Sequence, residues 1–91
     1  MKKMMMFYMP GCPYCRQGML ALEELKKEIL AFEKVEIEFV DETAAPEIAD
    51  RYDYYHVPTV FVDGEKVYEA HPGESYEECR AMMRKALEAA L

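Results

Sequence analysis

From Lys3 to Met9 the chain is a continuous, mainly apolar run, ended abruptly by Pro10-Gly11. A run of that length bounded by turn residues reads as a central strand covered on both faces. From Pro13 to Phe32 the spacing becomes helical, with Met19, Leu22, Leu25, Ile29 and Phe32 recurring every three or four positions. Val35 to Val40 then alternates, which predicts an edge strand with one buried face. Strand, helix and strand in that order require two parallel strands joined by a right-handed crossover.

The remainder adds to this unit. Thr43 is placed to cap a short helix with Pro46 in its first turn, and Ile48 and Tyr52 share one face of it. Thr59 to Val62 is rich in strand formers. Asp63-Gly64 is a hairpin signal, and Lys66 to Ala70 returns as a second edge strand. Ser75 and Glu78 have capping-box spacing before a last helix from Tyr76 to the end. Its apolar face is Cys79, Met82, Met83, Ala86, Leu87 and Ala90. The class is α/β with helices on both sheet faces, and 91 residues make one domain, 1–91.

Composition removes several functions. The net charge is −7 and no basic run is longer than Lys2-Lys3 or Lys26-Lys27. Nucleic acid and anionic membranes are therefore poor partners. The apolar segment after Lys3 is six residues long, too short for a signal-peptide core of roughly 7–15. The expected location is the cytoplasm.

Cys12 and Cys15 stand three apart in Cys12-Pro13-Tyr14-Cys15. A structural zinc site needs four ligands, and the remaining candidates, Cys79, His56 and His71, stand at no motif spacing. No metal site is expected. Inert packing is the plain alternative, and it suits Cys79 on its apolar stripe. For Cys12 the position argues otherwise. It follows a buried strand and opens a helix, where a thiolate meets unpaired backbone N–H groups and the positive end of the helix dipole. Pro13 fits the first helical position. Cys15 lies one turn on, on the same side. An attacking thiol with a resolving thiol beside it is what dithiol exchange requires.

These residues resemble the glutaredoxins of the thioredoxin superfamily. The carrying features are Cys12-Pro13-Tyr14-Cys15 after a strand, Val57-Pro58-Thr59 opening another, and the order of elements. The resemblance implies a glutaredoxin-sized thioredoxin-like fold, with a four-stranded mixed sheet ordered 2-1-3-4, strand 3 antiparallel, and three flanking helices. It implies that Cys12 is the nucleophile and Cys15 the resolving thiol. Pro58 would be cis, Val57 would offer its backbone to an extended substrate, and Tyr14 and Thr59 would join the substrate site. Pro13, Arg16 and His56 form a second rank around it.

Two departures bear on the reductant. Glutaredoxins hold glutathione with a Lys or Arg three residues before the first cysteine, where this chain has Met9, and with a Gly-Gly pair and an Asp near the last helix, where it has Gly73 alone. Phe7-Tyr8-Met9-Pro10 and Pro58-Thr59 instead resemble thioredoxin. The expected function is a thiol-disulfide oxidoreductase, a monomer that reduces protein disulfides with no tightly bound cofactor. Thioredoxin reductase is its expected reductant, with glutathione as the alternative. A glutathione-dependent glutaredoxin is the runner-up, followed by an iron–sulfur binding module. Tyr52, Tyr54 and Tyr55 are expected to pack around the short helix, with Asp41 and Glu42 at a solvated strand end.

Overall fold

A computed structural model describes residues 1–91. The elements are β1 (Met4–Tyr8), α1 (Pro13–Glu28), a 3-10 turn (Leu30–Lys34), β2 (Ile37–Asp41), α2 (Pro46–Ala49), β3 (Thr59–Val62), β4 (Glu65–Glu69) and α3 (Tyr76–Ala90). The sheet order is β2-β1-β3-β4. β1 pairs with β2 in parallel, and β3 is antiparallel to both β1 and β4. This is the thioredoxin-like arrangement expected.

β1 serves both faces by strand alternation. Met4 and Met6 join the core under α1 and α3, with Leu22, Leu25, Met83 and Leu87. Met5 and Phe7 point the other way, to a smaller cluster with Val40 and Phe61. One turn of α2 and an aromatic group close that second face. The Phe7 ring lies 5.0 Å from Tyr52 and 4.9 Å from Tyr54, and Tyr52 lies 4.8 Å from Phe61. Tyr55 is not part of this packing: it is 86% exposed.

Several boundaries differ from the pattern. α1 stops at Glu28, because Ile29 turns extended (φ −122°, ψ 105°). Sixteen helical residues already span about 24 Å, more than five-residue β1 needs, so the chain must turn back to enter β2. The 3-10 turn brings Phe32 into the same core, which is why the helical spacing seems to continue. The buried face of α1 is Cys15, Gly18, Ala21, Leu22 and Leu25, while Met19 lies outside it at 36% exposure. In β2, Val40 is buried on the α2 side, but Phe39, which faces the α1 side beside Met19 and Leu22, is 46% exposed at this edge of the sheet. Thr43 does not cap α2. Ala45 holds that position, and the Asp41 carboxylate accepts from the Thr43 N–H at 2.9 Å and hydroxyl at 2.6 Å.

The Asp63-Gly64 turn has positive φ at both residues (49° and 84°), the mirror-image turn that two-residue hairpins favour. Further along, Phe61 pairs with Lys66 and Val60 with Tyr68, which leaves Val67 as an extra residue, a β-bulge. Residues three apart in a regular strand face opposite sides. The bulge brings Lys66 and Glu69 to one side, with Nζ 2.7 Å from Oε1. Ser75 and Glu78 form the expected capping box at the start of α3.

Candidate active site

The end of β1, the start of α1 and the loop before β3 meet at one edge of the molecule. Gly11, at φ 78°, makes the turn that delivers Cys12 to the first position before the helix. There the Cys12 Sγ accepts the Cys15 N–H at 3.1 Å, a sulfur in the role usual for a serine or aspartate oxygen. Pro13 follows at the first helical position. On its other side, Cys12 Sγ lies 3.8 Å from the Val57 carbonyl oxygen. Cys12 is 8% exposed and Cys15 3%, so both thiols sit below the surface and Cys12 is the more open. Burial, then the hydrogen bond with Cys12, pushes the Cys15 thiol up to about 12. Cys15 holds its proton firmly.

The Val57–Pro58 peptide bond is cis. The Val57 carbonyl faces only the Cys12 thiol, and the Val57 N–H has no partner within the protein. This leaves backbone groups that an extended segment can meet as a strand would. Pro58 is buried, with its ring under α1 at Gly18. A Cβ at Gly18 would lie 3.0 Å from Met83 Cε and 3.3 Å from Pro58 Cγ. Gly18 is therefore a point of close approach between the dithiol helix and the proline loop.

Thr59 does not reach a substrate with its side chain. It is wholly buried, and its hydroxyl donates to the His56 carbonyl. A carboxylate not singled out from the sequence holds the same loop from outside. Glu69 Oε2 accepts the Tyr55 N–H at 2.8 Å and the His56 N–H at 2.9 Å, while its Oε1 takes Lys66. Burial acts to raise Glu69, but Lys66 and the two N–H groups outweigh it and hold the carboxyl below its ordinary value. The bulge that turns Glu69 toward the loop leaves no mark in the hydropathy pattern.

These elements enclose a cleft of about 310 Å³, whose lining includes Met9, Cys12, Tyr14, Glu42, Val57 and His71. Pro13, Tyr55 and His56 also border it. Arg16 does not; it is exposed on the outer side of the first turn. Tyr14 is half-buried, and its hydroxyl accepts the Gly73 N–H at 2.7 Å. Glu42 is not simply a solvated strand end. It is half-buried on the cleft wall, its N–H donates to the Tyr8 carbonyl at 2.9 Å, and its Oε1 accepts the Tyr54 hydroxyl at 2.7 Å.

His71 also borders the cleft, and its Nε2 lies 3.1 Å from Glu78 Oε2 and 3.9 Å from Glu74 Oε1. Cys79 is apart from all this, fully buried among core side chains, where burial pushes its thiol up. No group of three or more His, Cys, Asp or Glu side chains is arranged to hold a metal ion. No helix is long and apolar enough to cross a membrane.

No curated protein matches the sequence. Among solved structures, one titled a malarial protein matches with a TM-score of 0.63 at 16% identity, over 94% of this chain and 97% of that one. The zinc-bound form of human ERp44 matches with a TM-score of 0.55 at 23% identity, over 92% of this chain but only 26% of that one. Identities this low speak for the fold alone. The thioredoxin domain model matches residues 2–82, the whole sheet and every helix but the end of α3, and the chain belongs to the thioredoxin-domain family.

Proposed function

We propose that the protein, acting as one domain in the cytoplasm, is a dithiol reductant of protein disulfides, with Cys12 attacking and Cys15 resolving. The observation that carries this reading is the Cys12 sulfur at the start of α1, accepting the Cys15 N–H at 3.1 Å and facing the Val57 carbonyl. That setting puts the Cys12 sulfur at the open end of the helix and keeps the second sulfur one helical turn away, protonated until needed.

The exchange runs in two steps. The Cys12 thiolate attacks one sulfur of the substrate disulfide. A Cys12–substrate S–S bond forms, the substrate bond breaks, and the leaving thiolate takes a proton. Cys15 then loses its proton and attacks Cys12 Sγ, releasing the second substrate thiol. Two electrons and two protons pass to the substrate, and a Cys12–Cys15 disulfide remains. Val57 holds the substrate segment by its backbone, while Tyr14, Pro58 and His56 shape the cleft.

The cleft has no lysine or arginine, and Met9, on its wall, stands in the sequence where glutaredoxins carry the Lys or Arg that holds glutathione. This supports regeneration by thioredoxin reductase with weak or no dependence on glutathione. The test is a pair of NADPH-coupled disulfide-reduction assays, one with thioredoxin reductase and one with glutathione and its reductase. Turnover in the first is expected. Efficient turnover in the second alone would make the protein a glutathione-dependent glutaredoxin. Cys15→Ser should accumulate the mixed disulfide and Cys12→Ser should lose all exchange; activity in Cys12→Ser refutes the assignment.

A further inference from the structure

The wall of the Cys12 cleft carries one carboxylate with no cation to answer it. No lysine or arginine lines the cleft. Of its two histidines, His71 faces Glu78 and Glu74, which offset any charge it takes. Glu69, behind the loop, is matched by Lys66. Glu42 differs: its side-chain partner is the neutral Tyr54 hydroxyl, and it belongs to none of the protein's ion pairs. The hydrogen bond from its N–H to Tyr8 and that from Tyr54 to its carboxylate fix it just past the C-terminal end of β2. Met9 and Tyr55, 39% and 86% exposed, also border the cleft. They offer apolar surface of the kind on which the stem of a long cationic side chain lies while its head reaches a carboxylate.

We propose that the site selects disulfides held in an extended polypeptide with lysine or arginine beside the bonded cysteine, and that Glu42 is the residue that selects them. This deepens the reading of Cys12 and Cys15 as a reducing couple and rests on it. The unpaired Val57 N–H holds the backbone of such a segment, and Glu42 reads the charge of its flanking side chain. An acidic flank meets the same carboxylate as repulsion, so discrimination comes from both signs.

The experiment is a single-turnover reduction with the pre-reduced full chain as the only electron source. Its substrates are two disulfide-closed peptides, identical except for Lys or Glu beside each cysteine, and a small uncharged disulfide. Each turnover converts the Cys12–Cys15 dithiol to a disulfide and the peptide disulfide to two thiols. Rates are divided by those with a small uncharged dithiol, which removes the peptides' own reactivity.

At low salt the Lys peptide should react on the order of tenfold faster than the Glu peptide. Glu42→Gln, which keeps an acceptor for Tyr54, should cut that ratio to roughly threefold, the remainder being the field of the whole acidic chain. Glu65→Gln makes the same charge change at the far end of β4 and should leave the ratio as in the wild type. Equal rates for the two peptides overturn the proposal. So does a ratio unchanged in Glu42→Gln, or lowered equally by both variants. If the uncharged disulfide is reduced and the peptides do not differ, only this inference fails. If no disulfide is reduced, the redox reading fails and takes the inference with it.

Discussion

The hydroxyl of Tyr14, between the two cysteines, accepts the backbone N–H of Gly73 at 2.7 Å across 59 residues of chain. This bond ties the start of α1 to the loop between β4 and α3, so the two banks of the cleft are joined. Tyr14→Phe removes the acceptor and leaves the ring. The expected cost is about 0.5–1 kcal/mol in urea unfolding, since the Gly73 end can turn to water. Amide exchange at Gly73 should accelerate well beyond that global loss, and exchange unchanged there would show that the bond does not hold the loop.

Cys15 should be the slower thiol by a wide margin. Burial pushes it up to about 12, and Cys79 is fully buried with its thiol also pushed up. Iodoacetamide at pH 7.5 should therefore alkylate Cys12 first, with Cys15 and Cys79 modified only on unfolding. Peptide mass mapping over a time course reads this directly, and early modification of Cys15 would contradict the asymmetry. In a trapped mixed disulfide, the resolving step should quicken about tenfold per pH unit through the neutral range, because the Cys15 thiolate fraction does so.

Gly18 should tolerate no branched side chain. A Cβ there already meets Met83 Cε at 3.0 Å and Pro58 Cγ at 3.3 Å. The methionine end can swing aside, but the proline ring is fixed between sheet and helix. Gly18→Ala sets a helix-propensity gain of about 1 kcal/mol against overpacking of roughly 1–3 kcal/mol, for a small net loss. Gly18→Val adds two more methyls and should cost about 3 kcal/mol or more. Calorimetry or urea titration decides it; a stabilised Gly18→Val would mean that the helix and the proline loop can separate.

His71 links the loop's stability to pH. The Pro72 carbonyl, then the Glu78 carboxylate, raise it above 6.5. A raised histidine stabilises the fold when protonated. Its contribution is complete below the unfolded value of 6.5 and disappears as pH rises through the folded one. An NMR titration should place His71 above its position in urea, and Glu78→Gln should bring it down. The small stability loss on going from pH 6 to pH 8 should vanish in His71→Asn. A His71 that titrates at or below its unfolded position would remove this link.

Much of the site could be read before any coordinates. The continuous apolar run of β1, the Asp63-Gly64 turn and the Ser75–Glu78 box are local signals, and each led to the right element. Cys12 at the head of a helix is equally local. The residues that escaped notice work through partners distant in sequence. Glu69 meets Tyr55 and His56 only because a bulge rotates it. Gly18 reads as a weak helix position until Pro58 and Met83 arrive. Glu42 resembles a solvated strand end until Tyr54 and the cleft wall enclose it. Large apolar residues dominated the helical spacing, so Met19 stood out while the small residues at the real contact did not.

The bulge at Val67 has a consequence for how the chain can change length. Added residues beside Gly64 enter open space, whereas Asp63, at the other side of the tip, is tied to the Lys3 backbone by two hydrogen bonds. Removing Val67 restores strict alternation, parts Lys66 from Glu69, and frees the loop that carries Pro58. A one-residue deletion in this edge strand would thus reach the dithiol without altering any side chain that faces it. Surviving insertions belong beside Gly64 at the hairpin tip. Within β4, residue count sets the geometry of the site as firmly as residue identity does.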